Sequence, residues 1–592
     1  MYRHVIVLMA GVLLSSPLWA QQAADTVAPE VGGAGEQALS NAVRAAQKAK
    51  AAGQPVMADD WMIVAANPYA TQAGARVLRA GGTAADAAIA TQLVLGLVEP
   101  QSSGLGGGAF VVWYDAETGR LTTLDGRETA PLQAKPQLFQ DENGEPLKFF
   151  DAVVGGRSVG TPGTPALLEA LHERWGNQPW SSLFGDAITL AEQGFEVSDR
   201  MAGSIARDAD RLARFPATAA YFLPGGEPLS SGTVLKNPEY VQTLHSLAEN
   251  GARVFYSGDI AADIVQTVRT APGNPGVLSL LDMGIYQVKE REPICAAYRI
   301  YEICGMGPPS SGALTVGQIL GMAQHHDLSA GPDDPQVLRV LGDASRLAFA
   351  DRGLYMADSD FVPIPTKGLL DPEYLKKRAK LLGGERLQTV APGAPKFDHA
   401  LNWARDESLE LPSTSHISIV DRYGNALSMT TTIENGFGSR LFVRGFLLNN
   451  ELTDFSFRTH RDGRPIANRV EPGKRPRSSM SPTIVMKDGK PVLVTGSPGG
   501  SMIIGYVANS IIAWAEWGLD VQQAISLPHR INRFGRYDIE DGPKAAPIAQ
   551  ALEAMEYPVN TRVLTSGLGA IEITDRLSGG ADPRREGIAL GQ

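Results

Sequence analysis

The sequence predicts a mixed α/β (α+β) protein, on three observations. Ala-rich segments of helical texture stand beside short apolar runs of strand character. A β-hairpin pattern sits deep in the chain, at 415–433. The composition is that of an ordinary globular protein, 43% hydrophobic and 20% charged over 592 residues, long enough to bury a large core. At about 100–200 residues per domain, length alone suggests three or four domains. The net charge of −11 disfavours a general nucleic-acid binder, which needs the opposite sign. Two cysteines are too few for a disulfide scaffold or a four-cysteine zinc site.

The elements follow in chain order. Met1–Ala20 has a positive start at Arg3, an apolar stretch Val5–Leu14 and a small-residue exit Ser15–Ala20. That is the pattern of a signal peptide cleaved near Ala20, which predicts a periplasmic or secreted protein. An uncleaved anchor helix is the alternative, although the apolar run is short for one. Residues 21–56, rich in Ala, Gly and Gln, read as a flexible tether. Helices are predicted at Pro68–Ala80 and Thr83–Val98, on either side of Gly81-Gly82. The run Ala87–Val98 is broken by Thr91 and Gln92, so no membrane span is expected after the signal. Strands follow at Ala109–Tyr114 and Leu121–Leu124, then helices at Thr164–Trp175, Trp180–Gln193 and Pro335–Tyr355. Residues 383–413 are Pro-rich and charged, a surface loop ending Leu411-Pro412-Ser413. Immediately after it, Ser415–Val420 alternates, turns at 421–425 and returns through Ala426–Ile433. Strands at Thr483–Met486 and Val492–Thr495 and a helix at Ile503–Trp517 complete the pattern.

Cys295 and Cys304 flank a stretch with the alternation of a hairpin or strand. A bridge closing this loop suits an exported protein; two buried free thiols are the alternative.

Two motifs are decoys. Gly156-Arg-Ser158-Val-Gly160 fits G-x-S-x-G, but Thr-Pro-Gly-Thr-Pro follows where the serine-hydrolase elbow needs a helix. Gly104-Leu-Gly-Gly-Gly-Ala is followed by a strand, so the phosphate-cradling helix start is missing. The adjacent His325-His326 lacks a third ligand at useful spacing. Neither a metal nor a cofactor is expected.

Thr414 stands where the polar loop meets a buried-type strand. If the Ser413–Thr414 bond breaks, Thr414 gains a free α-amine with an ordinary pKa of about 7.7–8.0. That amine can act as base for the hydroxyl of the same residue. A threonine that merely starts a strand is the alternative on spacing alone.

The segment Thr414-Ser-His-Ile-Ser, with Gly424-Asn-Ala-Leu-Ser-Met-Thr-Thr-Thr and Glu434-Asn-Gly-Phe-Gly, resembles the signature of γ-glutamyltranspeptidases, which are N-terminal-nucleophile hydrolases. One departure is Leu427, where Val is usual. Leu124-Asp-Gly-Arg-Glu-Thr-Ala-Pro resembles the family's arginine motif. Leu448-Asn-Asn-Glu-Leu-Thr-Asp-Phe, Lys474-Arg-Pro-Arg-Ser-Ser-Met and Thr495-Gly-Ser-Pro-Gly-Gly-Ser resemble its small-subunit motifs. Pro308-Pro-Ser-Ser-Gly and Asp582-Pro-Arg-Arg also match.

The resemblance implies a four-layer αββα sandwich, one structural domain cut into a large subunit (57–413) and a small subunit (414–592) that associate as a heterodimer. It implies Thr414 as nucleophile, with Thr432 supporting it and Gly499 and Gly500 as the oxyanion hole. Arg127, Ser478 and Ser479 would take the substrate α-carboxylate, and Glu451 and Asp454 its α-ammonium. Glu434 replaces the Asn of many members and would place a third carboxylate near that ammonium. Crowded carboxylates raise one another's pKa, so one is expected to be protonated or turned away. The region Phe455–Pro476 can form a lid in the family, and its role here is open.

The implied activity is that of a γ-glutamyltransferase and glutathione hydrolase. Its substrates would be glutathione and other γ-glutamyl compounds, with water, amino acids or dipeptides as acceptors. The runner-up is a cephalosporin acylase of the same superfamily, acting on a glutaryl-type donor. A periplasmic binding protein with a dead site is a third reading.

Overall fold

The computed structural model describes residues 39–399, 402–406, 408 and 413–592. The expected signal peptide and residues 21–38 of the expected tether therefore lie outside the described residues.

Two seven-stranded sheets form the centre, with antiparallel neighbours throughout. One runs Ile588–Gly591, Met62–Ala65, Thr414–Val420, Ala426–Thr432, Gly108–Asp115, Arg120–Gly126 and Lys289–Arg291 from edge to edge. The other runs Val56–Ala58, Leu577–Ala581, Gly569–Ile573, Lys490–Gly496, Thr483–Lys487, Tyr301–Gly305 and Ile294–Tyr298.

Period-two alternation assigns the faces. In the first sheet Ile417, Ile419, Leu427, Met429, Val111 and Trp113 join the core under the helices Pro68–Arg79, Ala84–Val98 and Thr164–Trp175. The intervening Val64, Val112, Val420 and Ala426 face the second sheet and meet Ile484, Val494 and Ile571. The far face of the second sheet, with Val485 and Leu493, is covered by Gly312–Ala323, Pro335–Tyr355 and Ile503–Trp517. The result is a four-layer αββα sandwich with a separate core between each pair of adjacent layers.

Local chemistry explains the covering helices. Thr83 and Asp86 form a reciprocal capping box at the start of Ala84–Val98. The two Ala-rich helices approach closely at Gly74, where a Cβ would lie 2.3 Å from Thr91 Oγ1 and Ile63 Cδ1.

Three expectations change. Part of the expected tether is a helix, Asn41–Ala51, with Val43 and Ala46 buried. Ser40 caps it, and its Ala, Lys and Gln content favours helix without a broad apolar stripe. The expected helix Trp180–Gln193 is a 3₁₀ turn, Trp180–Phe184, followed by an α-helix, Gly185–Gln193. The three or four domains suggested by length are one sandwich. The two cysteines face each other across the edge hairpin and are bridged. Among the described residues no helix is long and apolar enough to cross a membrane.

Candidate active site

The hairpin that carries Thr414 builds the site. Thr414 pairs directly with Thr432, His416 with Thr430 and Ser418 with Ser428. By alternation these six residues share the face turned to the second sheet. A row of hydroxyls and one imidazole therefore lies between the sheets. His416 Nδ1 bonds Thr430 Oγ1 at 3.0 Å and Nε2 bonds Ser418 Oγ at 2.9 Å. Gly496 opposite makes room, since a Cβ there would fall 2.2 Å from His416 Cε1. Burial pushes the His416 imidazole down to about 3, so it stays neutral at working pH.

The bond before Thr414 is held on both sides. Thr432 Oγ1 donates to the Ser413 carbonyl at 2.8 Å, and the Glu434 N–H donates to Thr432 Oγ1 at 2.8 Å. The Ser413 hydroxyl donates to the Gln101 carbonyl at 2.6 Å, and Arg585 Nη1 donates to the Thr414 carbonyl at 3.1 Å. Thr414 and Ser413 are both 3% exposed, so bulk water has little access to this peptide bond.

A small cleft opens beside Thr414. Thr432, Glu434, Arg127, Glu451, Asp454, Ser478, Ser479 and Gly500 line it, together with Met480 and Ile503. Nine expected site residues thus come together in one place. Gly499 adjoins Gly500 in the turn before Ile503–Trp517, with φ of 137° and 57°. A Cβ on Gly499 would lie 2.7 Å from the Tyr506 ring, so this turn requires glycine twice over.

The opposite wall is charged. Arg127 is buried and bonds Glu451; its Nη2 reaches Asp454 at 2.5 Å and the Arg477 carbonyl at 2.9 Å, and its Nε reaches the Pro476 carbonyl at 3.2 Å. Burial opposes the charge, but Glu451 and Asp454 outweigh it and hold the guanidinium pKa above its ordinary value. Arg352 Nη2 donates to Ser479 Oγ at 2.8 Å.

The expected crowding of carboxylates is resolved in an unexpected way. Glu434, at a φ of 75°, turns its carboxylate to the Asn450 amide. The group pushed well above the ordinary carboxylate range is Glu128, by burial and then by neighbouring Glu451. Glu128 stands in the arginine motif and Arg585 in Asp582-Pro-Arg-Arg, and the motifs themselves imply a role for neither. The adjacency to Arg127 and the second arginine were the available signals.

Neither decoy lines the cleft, although the Gly104 loop packs on Thr432, where a Cβ at Gly107 would fall 2.0 Å from its carbonyl oxygen. Ser158 ends a 3₁₀ turn and donates to the Val153 carbonyl at 2.6 Å. Among the described residues no three His, Cys, Asp or Glu side chains are grouped to hold a metal ion.

A family model described as gamma-glutamyltranspeptidase matches residues 70–592. The chain belongs to that family. It is 37% identical to the glutathione hydrolase proenzyme of Bacillus subtilis (strain 168), over 90% of this chain and 91% of that protein. It is 35% identical to the glutathione hydrolase proenzyme of Escherichia coli (strain K12), over 80% and 81%. It is also 32% identical to the acylase ACY 1 proenzyme of Pseudomonas sp. (strain SE83), over 91% and 94%. Among solved structures, a cephalosporin acylase from Bacillus halodurans matches with a TM-score of 0.80 at 26% identity, covering 91% of this chain and 97% of that one. The Helicobacter pylori gamma-glutamyltranspeptidase matches with 0.52 at 34% identity, covering 55% and 92%.

Proposed function

We propose that the chain is an exported γ-glutamyltransferase and glutathione hydrolase that matures by cutting itself between Ser413 and Thr414. In maturation Thr414 Oγ attacks the Ser413 carbonyl carbon. The peptide C–N bond breaks, an ester forms, the proton lost by Oγ passes to the departing nitrogen and the α-amine of Thr414 is released. Water then hydrolyses the ester and leaves a Ser413 carboxylate. The Thr432 hydroxyl, already on the Ser413 oxygen, stabilises the charge that develops there.

In turnover the freed amine takes the proton of Thr414 Oγ, which attacks the γ-carbonyl of the donor. The N–H groups of the Gly499–Gly500 turn receive the oxyanion, and the leaving amine departs with a proton. Water on the resulting ester gives hydrolysis; the amine of an amino acid or dipeptide gives transfer. Arg127, with Ser478 and Ser479, holds the donor α-carboxylate; Glu451 and Asp454 hold its α-ammonium. The observation that carries this reading is one cleft placing Thr414 opposite a buried arginine flanked by two carboxylates. That wall is complementary to an amino-acid zwitterion.

The acylase reading is favoured by the overall likeness to the Bacillus halodurans enzyme. It predicts preference for a glutaryl donor, which lacks the ammonium that Glu451 and Asp454 would bind. The deciding assay is chromophore release from a γ-glutamyl anilide against a glutaryl anilide, with and without glycylglycine. Turnover of the γ-glutamyl donor, increased by glycylglycine, supports the proposal. Turnover of the glutaryl donor alone supports the acylase.

A further inference from the structure

We propose that Glu99 is a positioning residue for self-cleavage: it fixes Ser415, on the far side of Thr414 from the cut, and so holds the nucleophile against the bond it attacks. The inference rests on the reading of Thr414 given above.

The strand that begins at Thr414 alternates, so Thr414 and His416 face the second sheet while Ser415 faces the helical layer. On that side the helix Ala84–Val98 ends at Glu99, and the chain runs on through Gln101 and Ser102 beside the end of the hairpin where the cut falls. Four hydrogen bonds join this stretch to the hairpin and the turn after it. Glu99 Oε2 accepts from Ser415 Oγ at 3.3 Å. The Gln101 carbonyl accepts from Ser413 Oγ at 2.6 Å and from the Phe437 N–H at 3.1 Å. The Ser102 carbonyl accepts from the Ile433 N–H at 3.2 Å. Thr414 is thus gripped through both of its neighbours. So is Ile433, which follows Thr432, whose hydroxyl sits on the scissile carbonyl.

Glu99 is itself held in place. Its N–H donates to the Leu95 carbonyl at 2.8 Å, and its carbonyl accepts from the Ser102 N–H at 2.9 Å. Its carboxylate lies 3.2 Å from Arg200 Nη1, both side chains being almost completely buried. The same Nη1 donates to Ser102 Oγ at 3.3 Å. Arg200 stands in the first turn of the helix Asp199–Leu212, so two helices of the covering layer converge on Ser415. Ser415 is fully buried, which keeps bulk water from competing for its hydroxyl. Of the four bonds, the one from Ser415 is the one whose acceptor is a side chain, so substitution can alter that acceptor and leave the backbone intact. Thr414 Oγ must meet the carbonyl carbon of the residue before it, and a small misplacement of such a group is costly. The Glu99–Ser415 bond does not involve Ser413, so it also orients Thr414 during turnover.

The test follows the full-length precursor, made by cell-free synthesis, on a denaturing gel to give the rate of cutting. The cut protein then gives kcat and KM on a γ-glutamyl anilide. Ser415→Ala is expected to slow cutting about fivefold. Glu99→Gln, which keeps an acceptor but loses its charge, is expected to slow it about two- to threefold. Adding Glu99→Gln to Ser415→Ala is expected to slow it no further, because the shared bond is already gone. Both single variants should lower kcat by similar factors and leave KM unchanged, since the donor wall lies in the cleft on the opposite face of the strand. If Glu99→Gln does not fold, Ser415→Thr takes its place; it keeps the hydroxyl and is expected to cut within about twofold of the wild-type rate. Wild-type cutting by Ser415→Ala, or equal rates for the alanine and threonine variants, would overturn the proposal. So would additive slowing in the double variant, which would leave Glu99 as a partner of Arg200 alone, or a change confined to KM. A wild-type chain that is not cut between Ser413 and Thr414 would overturn the reading of Thr414 itself, a distinct result.

Discussion

The two walls of the cleft are chemically opposite. The wall that carries Thr414 is neutral: Thr414, Thr432 and the Gly499–Gly500 turn, backed by an uncharged His416. The binding wall is ionic, with Arg127 between Glu451 and Asp454 and with Glu434 and Glu128 nearby. The difference teaches where proton transfer must come from. The charged side chains are committed to one another, and the imidazole is too weak a base to help. A base next to Thr414 Oγ is most simply made by breaking the chain there.

The largest expected effect breaks the neutral wall. Thr414→Ala should leave a single uncut chain on a denaturing gel and lower turnover by about 10⁴-fold or more. A cut chain would remove Thr414 from the role of nucleophile. Next comes the ionic wall. Arg127→Met leaves Glu451 and Asp454 without their cation, a change of about 3–4 kcal/mol, and should lower kcat/KM for a γ-glutamyl anilide about 10²–10³-fold. A loss of only a few-fold would show that the clamp lies elsewhere.

Glu434 sharpens the boundary between the walls, because its N–H serves Thr432 while its carboxylate pairs with Asn450. Glu434→Asn should keep self-cleavage and shift KM about two- to fivefold. Unchanged kinetics would remove its side chain from the site.

The last prediction concerns stability and leaves turnover aside. Burial and then Glu99 push the Glu586 carboxyl up from about 4.5 to about 7. The folded chain therefore holds this proton over a range where the unfolded chain has lost it. Glu586 contributes stability that is full below about pH 4.5 and is lost as pH rises towards 7, on the order of 3 kcal/mol. Glu586→Gln should flatten that part of a plot of melting temperature against pH. An unchanged slope would assign it to other groups.

Much of this molecule was legible because local pattern and burial agree. The alternation of 414–420 and 426–432 sets the hairpin, its register and the shared face of Thr414 and Thr432. Caps at Thr83 and Asp334 mark helices that the sequence places within a residue or two. The helix Asn41–Ala51 escaped because small and polar residues dominate it and its docking face is narrow. The motifs name residues that meet in one cleft, but the wiring behind them was not legible. Nothing local in Asp406, Arg477 or Asn468 says that they converge behind Arg127, since the contacts of Asp406 with Asn468 and Arg477 span 62 and 71 positions of the chain. Likewise, burial and then Glu451 push the Glu128 carboxyl well above the ordinary carboxylate range, which no local pattern announces because depth of burial is a tertiary property.

The central claim is that cutting the chain makes the base. Intact mass and N-terminal sequencing of the purified, active protein test it most directly. The account predicts two chains, the smaller beginning with Thr414 bearing an unmodified α-amine, and turnover that rises with the fraction cut. Full turnover from an uncut chain, or from a small chain that begins elsewhere, would contradict it.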